Sequence, residues 1–85
     1  SSTNSVITQN EIKIFPNPFS DFTTILLNDE GENTIQLFDI SGRLLSKFSV
    51  QGNTFHLAKN NLSSGVYLLQ IQNKKGIFRK KLVIQ

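Results

Sequence analysis

One histidine, six carboxylates and no cysteine are the groups with which this 85-residue chain could do chemistry. His56 stands in Thr54–Ala58 on the side opposite Phe55 and Leu57, where exposure to solvent is the simple account. A catalytic base needs neighbours that hold it and tune it, and the local sequence supplies none. Asp29, Glu30 and Glu32 could in principle gather a Ca²⁺ ion, which takes about six to eight oxygen ligands. Three acids around one glycine turn read more simply as a solvated hairpin tip. Without cysteine there are no disulfides and no thiolate metal sites. No glycine-rich phosphate loop is present. An enzyme reading therefore finds no catalytic set, and neither a cofactor nor a metal is implied.

The cations are a different matter, because they are unevenly placed. Lys74, Lys75, Arg79, Lys80 and Lys81 fall between Lys74 and Gln85 with no acid among them, a local charge of +5, whereas residues 1–73 carry four cations and six acids, a charge of −2. A single-strand nucleic-acid binder would combine such charge with exposed aromatics for base stacking. Only Phe78 is interleaved there, and its parity matches the apolar side of its strand. Charged side chains on a terminal strand also protect against edge-to-edge aggregation, and that reading is preferred to nucleic-acid binding.

Two further stretches carry structural chemistry. In Leu62-Ser63-Ser64-Gly65-Val66-Tyr67 a loop leucine precedes a glycine and a tyrosine at the head of a strand. This is how a tyrosine corner reads in immunoglobulin-like and fibronectin-like domains, with the ring inside and the hydroxyl bonded to backbone upstream. In Phe15-Pro16-Asn17-Pro18-Phe19 the two prolines fix φ, remove donors and end a strand abruptly. Asn17 between them is placed to satisfy local backbone groups that the prolines leave bare.

The elements that must position these residues have a period of two. Glu11–Phe15, Thr34–Phe38, Leu44–Val50, Thr54–Ala58, Gly65–Gln72 and Ile77–Ile84 alternate, and Thr23–Leu27 is a β-branched and aliphatic run. Leu44, Phe48 and Val50 are expected on one face with Ser46. Tyr67, Leu69 and Ile71 share a face, as do Phe78, Leu82 and Ile84, opposite Arg79 and Lys81. About seven short antiparallel strands at this spacing predict an all-β sandwich. Asn28-Asp29-Glu30-Gly31, Asp39-Ile40-Ser41-Gly42 and Asn73-Lys74-Lys75-Gly76 repeat one pattern, Asx followed three residues later by Gly, which predicts hairpin loops with a bulge. Gln51-Gly52-Asn53 is a further turn, and Lys59–Ser64 suits a crossing between sheets. The length allows one domain. No apolar run approaches the ~20 residues of a membrane-spanning helix. Ser1–Asn10 is polar and unpatterned, and reads as a linker from an upstream domain, with the folded domain over residues 11–85.

Taken in order, these pieces resemble the type A C-terminal sorting domain of the type IX (Por) secretion system of Bacteroidetes-type bacteria. The resemblance is carried by Phe15-Pro16-Asn17-Pro18, by Ile35–Phe38 with Asp39-Ile40-Ser41-Gly42-Arg43, by Leu62–Ile71, and by Phe78-Arg79-Lys80-Lys81-Leu82-Val83-Ile84. It implies an immunoglobulin-like sandwich behind a secreted cargo, which the domain addresses to the outer-membrane translocon and its shuttle protein. It further implies removal by a sortase-like cysteine peptidase, transit through the periplasm, and a final place at the cell surface or outside. The domain is then a ligand and a substrate, with no catalysis and no nucleic acid.

Within that frame Lys80 and Lys81, with Leu82, Val83, Ile84 and Gln85, are expected to form the recognised element, read by strand addition. Pro16, Asn17, Pro18, Gly42, Arg43, Gly65 and Tyr67 are expected to serve the fold. The competing class is a carbohydrate-binding or adhesive sandwich appended to a secreted enzyme. It needs an exposed aromatic platform, for which Phe19 and Phe22, outside the clean strands, are the candidates.

Overall fold

The computed structural model describes residues 12–85. Ser1–Asn10, read above as a linker, lies outside the described residues, as does Glu11. Seven strands form: β1 (Lys13–Phe15), β2 (Phe22–Leu26), β3 (Glu32–Phe38), β4 (Leu44–Gln51), β5 (Thr54–Ala58), β6 (Gly65–Asn73) and β7 (Gly76–Ile84). They pair in two sheets, ordered β1-β2-β5 and β4-β3-β6-β7, with every strand pair antiparallel.

Alternation decides what lies between the sheets, since successive side chains of a strand face opposite sides. Ile25, Leu57, Ile35, Leu37, Val50, Tyr67, Leu69, Ile71, Leu82 and Ile84 face inward and are buried. Each fully buried aliphatic contributes about 1.5–3 kcal/mol. Phe48 and Phe55 join β4 to β5 across the sandwich, their ring centroids 5.0 Å apart at a 45° tilt.

Two of the three Asx-to-Gly turns are hairpins. Asp39–Gly42 joins β3 to β4, with the Asp39 carboxylate accepting from the amides of Ser41 (2.9 Å) and Arg43 (3.0 Å). Gly42 takes φ +92° there, a conformation that costs any residue with a Cβ. Asn73–Gly76 joins β6 to β7, with Asn73 Oδ1 accepting from the Lys75 amide. The third is not a hairpin. Asn28–Gly31 connects β2 in one sheet to β3 in the other, and Gly31 is not among the positive-φ residues. The side chain of Asn33, wholly buried, holds this arch: its amide points at the carbonyls of Asp29 (2.9 Å) and Gly52 (3.2 Å), and its Oδ1 accepts from Asn73 (2.7 Å). The local pattern was the same in all three turns; the partner of the following strand made the difference. Lys59–Ser64 does cross between sheets.

The face expected for β4 is also corrected. The register shifts between Leu37 and Phe38, so that Leu37 pairs with Ser46 but Phe38 with Leu44. The extra residue, Leu45, packs against the core, and Leu44 turns outward, 47% exposed. A bulge inverts the parity of every residue beyond it.

Candidate functional site

The residues singled out by sequence converge on β7 and its surroundings. Along β7 the inward positions are Phe78, Lys80, Leu82 and Ile84; Leu82 and Ile84 are buried, and Phe78 and Lys80 half-buried. Arg79 and Lys81 are exposed on the outer face. The two lysines thus lie on opposite sides of one strand, and Lys81 offers its ammonium to solvent.

Pro16–Phe19 meets this strand. Both Phe15-Pro16 and Asn17-Pro18 are cis peptide bonds. Asn17 does not serve its own segment, as its position between prolines suggested. Its Nδ2 donates to the Lys81 carbonyl at 3.1 Å, and its Oδ1 accepts from the Val83 amide at 3.0 Å. Phe19 continues the cover: its amide donates to the Val83 carbonyl at 3.1 Å, and its carbonyl accepts from the Gln85 amide at 2.8 Å. This makes a parallel bridge between Phe19 and Ile84. The connection between β1 and β2 therefore lies along the outer edge of β7 over its last residues. Strand addition at Lys81–Gln85 would have to displace it.

Phe19 also closes that side of the core, with 1% of its surface exposed. It cannot join an aromatic platform, and Phe22, 57% exposed, belongs to β2 and not to a loop. The sequence signal for Phe19 as core was weak because no strand period runs through it.

The tyrosine of the corner donates its hydroxyl to the Ser63 carbonyl at 2.6 Å, with its ring in the core beside Leu82, its cross-strand partner. Gly65 opens β6 at φ +150°. Arg43 is exposed and pairs with Asp39 at 3.3 Å. The Ser41 hydroxyl, the Arg43 and Ser41 amides and the Arg43 charge together hold the Asp39 carboxyl below its ordinary value.

The groups weighed for catalysis or metal binding are dispersed. His56 is exposed, its Nδ1 3.1 Å from Thr24 Oγ1. The Asp29 carboxylate is buried, with Oδ1 accepting from the Gly31 amide at 2.8 Å and Oδ2 without a partner among the described residues. Glu32 instead accepts from the Ser49 hydroxyl at 3.3 Å. Among the described residues no three metal-ligating side chains gather.

Comparison with known proteins agrees with this picture of a two-sheet sandwich. The crystal structure of a DUF3244 family protein with an immunoglobulin-like β-sandwich fold, from Bacteroides vulgatus, superposes with a TM-score of 0.61. That likeness covers 81% of this chain and 83% of the other at 19% identity, and it establishes the immunoglobulin-like fold. An endo-acting ulvan lyase of Formosa agariphila is 31% identical over 95% of this chain, and an ulvan lyase of Nonlabens ulvanivorans is 27% identical over 86% of it. The chain spans only 16% and 14% of the lengths of those two enzymes. A family model, the secretion system C-terminal sorting domain, matches residues 13–85. With strands, proline segment, corner and basic last strand all inside that match, the chain belongs to the family of C-terminal sorting domains that address secreted proteins to the type IX system.

Proposed function

We propose that residues 11–85 act as a transferable address read at β7, with Ser1–Asn10 as the linker to a cargo. The cargo is of the polysaccharide-degrading class, in keeping with the two ulvan lyases to which the chain is similar. The domain carries it through the periplasm to the outer-membrane translocon and its shuttle protein, and a sortase-like cysteine peptidase then separates the two in the linker. The domain contributes recognition and no catalysis.

The observation that carries this reading is the placement of Lys80 and Lys81 within the family match. They sit on a strand whose neighbours Leu82 and Ile84 are locked in the core, so the charges are presented by a rigid support. Leu82–Gln85 set the position of the lysines, and Lys81 meets the partner.

The test is a reporter fused ahead of the whole chain in a bacterium with a type IX system. Lys80→Ala with Lys81→Ala removes two charges at sites without buried partners, where changes stay within ~0.5 kcal/mol each. The doubly substituted domain is expected to melt like the parent while its reporter accumulates in the periplasm. Normal export with normal melting would reduce the lysines to solubility charges and end the proposal. The carbohydrate-binding alternative has lost Phe19 to the core, and a glycan array with the same fusion decides what remains of it.

A further inference from the structure

The outer face of the four-stranded sheet has two unlike ends. Opposed residues of an antiparallel pair project to the same side, so the register defines rows across the sheet. Thr34 stands opposite Ser49 and Gln72; Gln36 stands opposite Lys47 and Gln70, and Gln70 opposite Arg79. Those rows are polar except for Ile77, which ends the first of them opposite Gln72. The next row is not: Phe38 stands opposite both Leu44 and Leu68, Leu68 opposite Lys81, and beyond it Val66 opposite Val83. Leu44, Val66 and Leu68 are exposed, and the β3–β4 loop adds Ile40, 82% exposed. Loop and strands enclose a concavity of about 310 Å³ between Ile40, Val66, Leu68 and Lys81. The polar rows show that this sheet can be fully solvated by its side chains, so the apolar end is not a requirement of the fold. An exposed apolar cluster rimmed by polar groups marks an interaction surface.

Its charge narrows the partner. Lys81 stands in the apolar row, and among the described residues no carboxylate lies within ion-pair distance of it; Asp39, on the rim, is engaged by Arg43 and Ser41. A flat bilayer cannot fill a concavity behind a protruding loop, whereas a side chain from a protein surface can. We infer that this apolar end, with Lys81 at its β7 border, docks a protein segment presenting an apolar side chain beside a carboxylate. The inference rests on the reading of the domain as an address. It places recognition on side chains drawn from β3, β4, β6 and β7 and not on the edge of β7.

The reporter fusion tests it with substitutions outside β7. Ile40→Asp lies in an exposed loop and Leu68→Gln on an outer face; both fusions are expected to melt like the parent and to lose export about tenfold, the equivalent of ~1.4 kcal/mol of docking free energy. Gln36→Ala, on the polar end, is expected to export normally. Parental export by Ile40→Asp and Leu68→Gln, with export lost in the lysine double substitution, overturns the docking face and leaves the address standing. Failure of the parent domain to carry its reporter out overturns the address itself. Binding of the parent fusion to phosphatidylglycerol vesicles, or a concentration-dependent dimer in sedimentation, that Ile40→Asp abolishes would assign the face to lipid or to a second copy and overturn the inference as well.

Discussion

The two halves of β7 both carry cations and no acid, Arg79 and Lys80 in the first and Lys81 in the second, but their surroundings are opposite. Among the described residues, the strand from Gly76 to Lys80 is paired with β6 alone, and its other side is the edge of the four-stranded sheet. From Lys81 onward that edge is covered by Asn17 and Phe19, and Leu82 and Ile84 fill the core. Cations on an exposed edge deter pairing with other strands. That account suits Arg79, which is exposed. It does not suit Lys81, whose stretch of edge already has a cover; the docking inferred above would give its charge a use.

The strongest way to break this comparison is to truncate the same residue type in each half. Ile84→Ala, in a fully packed site, is expected to cost about 2–5 kcal/mol. Ile77→Ala, at a position 53% exposed, should stay within ~0.5 kcal/mol. Denaturant melts of the two variants check this, and similar costs would mean that the halves are not energetically distinct.

A smaller effect is expected when the cover is weakened without touching the core. Asn17→Ala removes two bonds to β7, and partly exposed hydrogen bonds contribute about 1 kcal/mol net. The melt should shift by that order. No shift would make the proline segment a passive connection.

The finest distinction is in amide exchange. Residues of odd number in β7 turn their amides away from β6, as Val83 does toward Asn17. The amides of Val83 and Gln85 should therefore exchange only with opening of the cover or of the whole domain, and that of Arg79 much faster. Equal protection by NMR would show that something else shelters the first half.

Much of the architecture was legible in the chain. Alternation placed Ile35, Leu37, Leu69, Ile71, Leu82 and Ile84 inside, and all are buried. The all-β sandwich follows from those runs and their spacing, and the tyrosine four residues beyond Ser63 reaches its carbonyl within one loop. These features are determined locally, because the period of a strand and the reach of a short loop depend only on neighbours in sequence.

Tertiary structure decided the rest. Asn28–Gly31 has the residues of a hairpin loop but bridges the sheets, since β2 finds β1 and β5 while β3 finds β4 and β6. Leu44 faces solvent because a bulge, visible only against the partner strand, inverts its parity. Asn17 bonds residues 64 and 66 positions away, and nothing around it in sequence marks them. The apolar end of the outer face is likewise assembled from four strands, each contributing one or two residues that look unremarkable alone. Strand pattern states which side of a strand is apolar; only packing states what that side, or its edge, will meet.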